Sequence, residues 1–424
     1  MSKWKQMVLG DMGYTYGGLT NKTIVDFGFG KPFIPYMNIF SNGKINPKFL
    51  VLVNINPGER QNTVKYGDLF FTTSSETVEE VGMTSVLLDD IGEAYLNSFC
   101  FGFRLNNFDD LLPEFAPFLF RGLELRKKIS LFGQGSTRYN LPKTELLAKL
   151  KIDLPTIPEQ RKIAKILSTT DSVIEKTQAA INKYKAIKQG MLNDLFTRGI
   201  DIKTGKLRDK QEDAPGLYKK SELGWIPKEW DVKEIKKIGD VISGATPSTT
   251  NPIFWGGEIV WITPADLSKQ KDSIYFQNAS RKITELGLQN CSASLICENS
   301  LVISSRAPIG YLSIVKVPFT INQGCKSIKF FENEVPEYYY YNLFFNLNRL
   351  KNFGEGTTFA EISKDDFEIF KIPVCKETEQ KLISNKLQTV DNSINKEQNY
   401  LHKLQQTKSG LMADLLSGNK IVTA

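Results

Sequence analysis

Residues 159–196, EQRKIAKILSTTDSVIEKTQAAINKYKAIKQGMLNDLF, have a second copy at residues 379–416, EQKLISNKLQTVDNSINKEQNYLHKLQQTKSGLMADLL. The two stretches align without a gap at an offset of 220 (379 minus 159). Pairs of identical residues include Glu159 and Glu379, Gln160 and Gln380, Asp171 and Asp391, and Lys188 and Lys408. A repeat of this length indicates that the chain is built from two related parts.

Apolar residues in both copies recur at alternating steps of four and three, which is the spacing of a coiled-coil heptad. Neither copy contains proline, and lysine, glutamate and glutamine occupy the other faces. We therefore predict two long helices, each roughly 50 to 60 Å at about 1.5 Å per residue, that pack against each other. The predicted seam residues are Ile163, Leu167, Ile174, Ile181, Tyr184, Met191, Leu195, Ile383, Leu387, Val390, Ile394, Leu401, Leu404, Leu411 and Leu415.

A segment of mixed helix and strand pattern precedes each predicted helix. The predicted fold class is α+β, with two globular domains joined by two long helices that form an antiparallel coiled coil in a pseudo-two-fold tandem duplication. The predicted boundaries are a first domain at 1–153, a first helix at 154–198, a linker at 199–227, a second domain at 228–372 and a second helix at 373–424. The alternative is two unrelated amphipathic helices, each packed on its own domain, but the repeated polar positions favour the pair.

The two globular segments share a weaker pattern. Strands are predicted within residues 47–58, 68–72 and 97–105, and a proline-interrupted helix at 111–129. In the second segment, residues 241–250 correspond to 16–23, 258–267 to 32–39, 301–310 to 69–76, and 353–362 to 132–141. The helices match better than the domains, which indicates one shared role for the helices and two different roles for the domains.

Composition narrows the class of protein. The chain has 424 residues, of which 41% are hydrophobic and 24% charged, as in ordinary water-soluble proteins. No run of eighteen apolar residues and no signal-peptide core occurs, so we predict a cytoplasmic protein without a membrane span. The five cysteines form no CxxC pair and are predicted to be buried free thiols. His402 is the only histidine and lies on a polar helix face, so neither histidine catalysis nor a metal site is predicted.

The net charge of +7 is concentrated outside the globular segments. Residues 154–227 carry 14 basic and 9 acidic side chains, whereas residues 228–372 carry 16 and 17. A basic chain is compatible with nucleic-acid binding. Any DNA contact in the globular parts must then come from local patches.

Three glycine motifs, at residues 27–30, 132–135 and 353–356, resemble the cofactor loop of S-adenosylmethionine-dependent methyltransferases. Such a loop follows a strand and opens a helix. Pro32 and Pro35 oppose a helix after the first motif, and the other two motifs follow predicted helices, so we predict turns. The chain also lacks a GxxxxGK[ST] phosphate loop, and no catalytic residue and no bound cofactor are predicted.

The paired helices that begin with Glu-Gln, the FGxG loops ahead of them, SELGWIPKEW (221–230), TPADL (263–267) and NSFCFGFRL (97–105) together resemble the specificity (S) subunit of type I restriction-modification systems. The resemblance covers essentially the whole chain. It implies a non-catalytic subunit in which each target recognition domain contacts one half of a bipartite, asymmetric site in double-stranded DNA. It further implies that the coiled coil sets the spacer and docks two methyltransferase subunits, which use S-adenosylmethionine to methylate adenine. Motor-nuclease subunits, with ATP and Mg, would add restriction.

Candidate DNA-binding residues lie in or beside the loops that the two halves share. Arginine and lysine bond guanine edges, glutamine bonds adenine edges, and serine and threonine mostly hold phosphates. The candidates are Lys22, Lys65, Thr73, Ser74, Ser75, Arg104 and Arg138 in the first domain, and Thr246, Ser248, Thr249, Ser305, Arg306, Gln323 and Lys326 in the second. Arg138 and Arg306 lead this set, and a turn-forming or solvated role is the alternative for every member.

Two other classes of function stay open at this point. One is a self-sufficient methyltransferase or nuclease, which needs a cofactor loop that the sequence does not display. The other is a stand-alone DNA-binding or coiled-coil scaffold protein without methyltransferase partners, which would explain the helices but not the divergence of the two globular segments.

Overall fold

The computed structural model describes residues 4–270, 273–306, 308–354 and 361–418. The chain forms two compact units. Unit 1 comprises Met1–Ala179 and Gln398–Ala424, and unit 2 comprises Ala180–Glu397. Each long helix therefore contributes one part to each unit, and the five-segment division of the sequence analysis stays a prediction.

Unit 1 contains eleven strands in the described residues. They are β1 Lys5–Val8, β2 Gly13–Gly17, β3 Phe27–Ile34, β4 Val51–Val53, β5 Leu69–Thr72, β6 Ser74–Ser75, β7 Thr84–Val86, β8 Tyr95–Leu96, β9 Cys100–Leu105, β10 Tyr139–Asn140 and β11 Lys151–Leu154. Its helices are α1 Tyr36–Ser41, α2 Ala116–Arg121, α3 Leu123–Ser130, α4 Lys143–Lys149 and the first part of α5 Ile157–Thr197.

Unit 2 repeats this order after an added hairpin. Its strands are β12 Tyr218–Ser221, β13 Gly224–Pro227, β14 Asp231–Glu234, β15 Gly239–Ser243, β16 Trp255–Ile262, β17 Arg281–Ile283, β18 Ser300–Ser304, β19 Leu312–Val315, β20 Phe319–Ile321, β21 Cys325–Phe330 and β22 Lys371–Val374. Its helices are α6 Pro264–Lys269, α7 Glu285–Gln289, α8 Pro336–Phe345, α9 Leu347–Gly354, α10 Lys364–Ile369 and the first part of α11 Glu377–Leu416.

The sheets of the two units have the same topology. A four-stranded antiparallel sheet has the order β2-β9-β5-β7 in unit 1 and β15-β21-β18-β19 in unit 2. A three-stranded sheet has the order β4-β3-β8 or β17-β16-β20, with β3–β8 and β16–β20 parallel. The pairs β1–β11 and β14–β22 close the base of each globular part, just before the long helix begins. The predicted α+β tandem duplication is confirmed at this level.

Burial explains why the central strands are continuous apolar runs. All residues of β5 and β18 are buried, because one face of the four-stranded sheet packs under the helices and the other against the smaller sheet. In unit 1 the helix-side core joins Phe71, Phe103 and Phe120 with Leu167 of α5 and Leu415 of α11. In unit 2 the equivalent core joins Tyr338 with Phe196 of α5 and Leu387 of α11.

Two expectations are corrected. The break in the helix predicted at 111–129 lies at Gly122, which has an extended ψ of 141° and separates α2 from α3, whereas Pro117 stands in the first turn of α2. A proline is tolerated there because the first N–H groups of a helix lack intrahelical acceptors. Among the cysteines, Cys100, Cys325 and Cys375 are buried, but Cys291 is half-buried and Cys297 is exposed.

The glycine motif at 27–30 forms part of a strand. Gly28 and Gly30 have φ of 102° and 96°, and the register of β3 with β4 shifts between Phe27 and Lys31. Glycine is needed at this β-bulge because other residues rarely adopt such φ values. The motif at 132–135 follows α3, as expected for a turn, and residues 355 and 356 of the third motif lie outside the described residues.

Candidate nucleic-acid interface

Four loops meet at one end of the sheets in each unit, and we call this set the loop cluster. In unit 1 it comprises residues 18–23, 73–76, 97–99 and 134–141; in unit 2 it comprises 244–250, 305–306, 322–324 and 361–362. The backbone hydrogen bonds that hold the unit 1 cluster include Leu19 N to Leu96 O (2.7 Å), Thr73 N to Phe99 O (3.1 Å) and Leu141 N to Thr73 O (2.8 Å). The equivalent bonds in unit 2 are Ala245 N to Ile321 O (3.0 Å), Ser305 N to Gly324 O (2.8 Å) and Ile362 N to Ser305 O (2.9 Å).

A glycine permits the first loop of each cluster to cross its neighbour. A Cβ atom on Gly18 would lie 2.1 Å from Asn97 O, and one on Gly244 would lie 2.1 Å from Asn322 O. Because no real contact is this short, any side chain at either position would push the loops apart. The two units thus share the backbone of the cluster and differ in the side chains that it carries.

In unit 1 the cluster gathers Thr73, Ser74, Ser75 and Arg138. The exposed Arg138 donates from Nε (3.2 Å) and Nη2 (2.9 Å) to Ser74 Oγ, and Thr73 Oγ1 donates to Phe99 O (2.9 Å). Ser74 and Ser75 are 6% and 7% exposed. Arg138 therefore remains accessible to a ligand while Ser74 positions it, and Ser75 Oγ donates to Thr77 O (2.5 Å) instead.

Lys65 and Arg104 lie outside this cluster, at the opposite end of β5 and β9. Arg104 bonds Asp68 through Nε (2.8 Å) and Nη2 (2.6 Å), and Tyr16 Oη donates to the same carboxylate (2.5 Å). The hydrogen bond to Asp68 raises the pKa of Arg104, and burial together with Asp68 raises the pKa of Tyr16. This network occupies the guanidinium, whereas the Lys65 side chain is exposed.

Lys22 belongs to the first loop of the cluster, but its ammonium is already paired. Lys22 Nζ lies 2.5 Å from Glu59 Oε2, and the lysine side chain is 5% exposed. Hydrogen bonds from Lys22, Gln61 and the Asn56 amide lower the pKa of Glu59 to about 2. The Gln61 side chain also bonds the backbone of Thr20 in both directions, so this arrangement fixes the loop.

In unit 2 the loop at 244–250 carries three candidates. Thr246 Oγ1 bonds Gln323 Oε1, which joins the first loop to the β20–β21 turn. Ser248 and Thr249 are exposed, and Ser248 O accepts a hydrogen bond from Trp255 Nε1 (3.0 Å). Thr246, Ser248, Thr249 and Gln323 therefore share one surface.

Arg306 and Ser305 form the neighbouring part of the same cluster, and Lys326 lies next to it on β21. Arg306 Nη1 lies 3.5 Å from Glu361 Oε2 with both side chains about 40% exposed, so the ion pair is accessible to water. Lys326 is 6% exposed, and burial lowers its pKa. Ser305 is 1% exposed, and its hydroxyl has no hydrogen-bond partner among the described residues.

Two further residues lie beside the loop clusters but are not among the DNA-binding candidates predicted from the sequence. Tyr36 Oη donates to Ser74 O (3.0 Å), and Arg281 stacks on Trp255 beside the unit 2 cluster. Tyr36 lies within the matched segment 32–39, where the residue types of the two copies differ, and Arg281 lies outside the matched segments. A comparison of positions by shared residue type therefore passes over them.

Within each unit the first part of one long helix runs antiparallel to the last part of the other. Lys188 Nζ lies 2.6 Å from Asp391 Oδ1 in unit 2, and Lys408 Nζ lies 2.5 Å from Asp171 Oδ1 in unit 1. Each ion pair takes one residue from each copy of the repeat. The repeated polar positions therefore fix the register of the helix pair.

The predicted seam is only partly closed. Buried members are Ile163, Leu167, Ile181, Leu195, Ile383, Leu387, Ile394 and Leu415. Half-buried members are Ile174, Tyr184, Met191, Val390, Leu401, Leu404 and Leu411. Packing between the helices predicts a buried seam, but Ile174, Leu401 and Leu404 are only half-buried, and none of the three belongs to the core of a globular part.

Gln160 and Gln380 begin the long helices as equivalent buried clamps. Gln160 accepts from Leu112 N (2.9 Å) and donates to Asp110 O (2.7 Å) and Pro155 O (2.9 Å). Gln380 accepts from Val335 N (3.0 Å) and donates to Cys375 O (3.0 Å). Each amide joins its helix to the loop that precedes α2 or α8.

The adjacent glutamates have different roles. Glu159 Oε2 accepts from Thr156 N (2.8 Å) and caps its helix at the surface. Glu379 is 2% exposed and accepts from Arg208 Nη1 (2.6 Å), Ile200 N (2.7 Å) and Trp230 Nε1 (3.1 Å). The predicted linker is thereby anchored within unit 2, and it includes the β12–β13 hairpin.

Among the described residues, no helix is long and apolar enough to cross a lipid bilayer. Likewise, no group of three or more histidine, cysteine, aspartate or glutamate side chains in the described ranges is arranged to hold a metal ion.

Both halves of the chain match the same protein family. The description "Type I restriction modification DNA specificity domain" matches residues 1–185 and again residues 227–406. The MjaIX type I restriction enzyme specificity subunit of Methanocaldococcus jannaschii is 41% identical over 180 residues, which cover 42% of this chain and 41% of the relative. The putative MjaX specificity subunit of the same organism is 26% identical over 317 residues, covering 74% of this chain and 69% of the relative.

Solved structures share the fold. The type I restriction-modification S subunit from M. genitalium has a TM-score of 0.59 at 13% identity and covers 97% of this chain and 96% of its own. A chain from a structural study of type I R-M complex assembly has a TM-score of 0.55 at 16% identity, covering 99% of both chains. With the family description matched once in each half, over most of the chain, this protein belongs to the type I restriction-modification DNA specificity family.

Proposed function

We propose that each unit binds one half of a split, asymmetric DNA target through the major groove, and that the chain supplies sequence specificity without catalysing a reaction. The observation that carries this proposal is the loop cluster, whose backbone is the same in both units and whose side chains differ. Unit 1 presents Arg138 on Ser74, whereas unit 2 presents Arg306, Thr246 and Gln323. Different donors and acceptors on one scaffold select different bases.

We further propose that the paired helices set the spacer between the half-sites and dock two methyltransferase subunits. The half-buried apolar residues Ile174, Leu401 and Leu404 leave surface for another protein to cover. In this proposal the assembled complex, in the cytoplasm, methylates adenine with S-adenosylmethionine. With motor-nuclease subunits, ATP and Mg, it cuts DNA.

Methylome sequencing tests the proposal directly. A host would express the chain with its methyltransferase subunit, as wild type, Arg138→Ala or Arg306→Ala. We expect wild type to produce one bipartite methylated motif, with Arg138→Ala relaxing or abolishing one half and Arg306→Ala the other. Arg161→Ala, which removes an exposed arginine of α5 outside both clusters, is the matched control and should leave the motif unchanged.

The alternative, a stand-alone DNA-binding or scaffold protein, predicts a different result. It predicts no methylated motif that depends on this chain, and no sequence enrichment when random duplexes are selected in a gel shift with the methyltransferase present. Finding both would overturn the proposed function. A motif in which both arginine substitutions alter the same half would contradict the division of labour between the units.

A further inference from the structure

An arginine beside the unit 2 loop cluster is held flat on a tryptophan. Arg281 Cζ lies 3.4 Å from the centre of the Trp255 ring and 5.6 Å from that of Trp261. The two indoles meet edge to face, 5.0 Å apart at 82°. Because the indole face attracts the guanidinium cation, this contact fixes the arginine in one orientation.

The same tryptophans hold the first loop of the cluster. Trp255 Nε1 donates to Ser248 O (3.0 Å) and Trp261 Nε1 donates to Ala245 O (3.0 Å). Arg281 is paired in register with Trp261 across the antiparallel strands β16 and β17. The stacked arginine and the candidate loop at 244–250 therefore form one continuous structure.

Stacking leaves the hydrogen-bonding edge of Arg281 available. A guanidinium stacks through its face and donates through N–H groups in its plane. Arg281 is exposed, and in the part of the chain that the structure describes no carboxylate forms an ion pair with it. Its neighbour Lys282, by contrast, is paired with Glu258 at 3.2 Å.

Unit 1 lacks this arrangement at the equivalent positions. Phe27 and Phe33 take the places of the tryptophans, with ring centres 5.4 Å apart, and Val51 pairs with Phe33 as Arg281 pairs with Trp261. Phenylalanine has no N–H group, and the unit 1 loop is held by Gln61 instead. The stacked arginine is thus an addition to unit 2.

We propose that Arg281, oriented by Trp255, binds a backbone phosphate of the DNA beside the half-site that unit 2 recognises. The planar guanidinium matches the paired oxygens of a phosphate. Arg281 lies on β17, beside the cluster loops. A contact to phosphate there positions the duplex and does not discriminate between bases. This inference rests on the proposed function and adds a positioning residue that the sequence analysis did not select.

Equilibrium binding by the complex of the chain with its methyltransferase subunits tests the inference. Dissociation constants of wild type and Arg281→Gln would be measured across a salt series. The two duplexes would be one that contains the motif found by methylome sequencing and one of random sequence. We expect roughly tenfold weaker binding to both duplexes at low salt, from the loss of a charge-assisted contact. We also expect the slope of log K against log salt to be about 1 smaller in magnitude, with base preference unchanged.

Three further variants separate the contact from general charge and folding effects. Lys282 lies beside Arg281 on β17, but its charge is already paired with Glu258 of β16. Lys282→Gln should therefore keep the wild-type slope of log K against log salt. Arg281→Lys keeps the charge but loses the planar fork and should fall between wild type and Arg281→Gln. Trp255→Phe retains a ring, as at Phe27, and should bind more tightly than Trp255→Leu.

Two results would overturn the inference: an unchanged slope and affinity for Arg281→Gln, or a loss confined to one base position of the target. Measurements on the random duplex distinguish a failure of this inference from a failure of the proposed function. If wild type shows no sequence preference, the proposed function fails, while the salt slope on random DNA still decides whether Arg281 contacts phosphate.

Discussion

At the scale of single residues, the buried glutamines show how a repeated residue can be structural. Gln160 satisfies the backbone N–H of Leu112 and the carbonyl groups of Asp110 and Pro155. Gln380 satisfies the backbone N–H of Val335 and the carbonyl group of Cys375, and its side chain also reaches Glu334 and Tyr339. Their identity in the two copies therefore follows from the need to join helix and domain.

Gln380→Ala should lower the free energy of unfolding by about 2 to 3 kcal/mol, because Val335 N and Cys375 O would be left buried without partners. Urea titration followed by circular dichroism measures the effect. Gln405→Ala, an exposed glutamine on the same helix, is the control and should change stability by less than about 0.5 kcal/mol. Equal effects would contradict the clamp.

Gly18→Ala should destabilise unit 1 and disturb its loop cluster, whereas the adjacent Gly17→Ala should be tolerated. A Cβ on Gly18 meets Asn97 O at 2.1 Å, but one on Gly17 meets nothing within 4 Å. We expect a cost of about 1 to 3 kcal/mol for the first, from the backbone shift that relieves the contact. Thermal unfolding gives the cost, and methylome sequencing shows whether one half-site is lost. Equal tolerance of both substitutions would refute the close-approach argument.

Residue type and spacing predicted the loops that carry the DNA-binding candidates. They did not predict whether each side chain is exposed or already paired with another residue. Arg104 and Arg138 are equivalent as basic residues in the sequence, yet Arg104 is held by Asp68 and Arg138 is exposed. Glu159 and Glu379 are identical in the alignment, yet only the second is buried under Arg208. The partners that decide these states are distant in sequence, so local pattern does not reveal them.

At the scale of elements, the two interhelical ion pairs are equivalent in sequence but differ in environment. The Lys188–Asp391 side chains are 18% and 12% exposed, and Asp391 Oδ2 also accepts from Tyr341 Oη (2.7 Å). The Lys408–Asp171 side chains are 30% and 27% exposed. Water replaces the partners of a buried aspartate less well than those of an exposed one. The stability of the protein therefore depends more on the contacts of Asp391 than on those of Asp171.

Asp391→Asn should therefore cost more stability than Asp171→Asn. We expect about 2 to 3 kcal/mol for the first, which leaves the Lys188 ammonium half-buried, and less than about 1 kcal/mol for the second, where water screens the charge. Urea titration of both variants provides the comparison, and each variant serves as the control for the other. Equal losses would show that burial does not set the strength of these pairs.

The heptad pattern predicted the helices and the face that packs, because the spacing of apolar residues sets direction around a helix. It did not predict depth of burial. Leu387 and Leu404 occupy seam positions of the same copy, but Leu387 is fully buried and Leu404 is half-buried. The difference comes from the globular part that covers Leu387, which the helix sequence does not contain.

At the scale of the whole molecule, the proposed function makes the long helices the determinant of spacing in the DNA target. Inserting one heptad into one helix adds roughly 10 Å at about 1.5 Å per residue. This length equals about three base pairs at about 3.4 Å each. We expect the methylated motif of such a variant to change its spacer and keep both half-sites, as read by methylome sequencing. A substitution of Lys165 by Gln, exposed on the first helix, controls for changes to the helix surface. Altered half-sites with an unaltered spacer would contradict the expectation.

The duplication was predictable across the chain because both copies keep the same order of strands and turns, from β2 and β15 to α5 and α11. The base choice of each unit was not predictable. Under the proposed function it depends on the poses of side chains such as Arg138 and Arg306, and these poses are set by contacts with Ser74 and Glu361 that differ between the copies.

The crossed ion pairs have a consequence for inheritance. Lys188 meets Asp391 and Lys408 meets Asp171, so every such pair is encoded half in one repeat and half in the other. A recombination that exchanges one globular segment between genes, and leaves the codons of these four residues in place, preserves the matched charges. Under the proposed function, a single crossover upstream of the Asp171 codon would then give a new combination of half-sites.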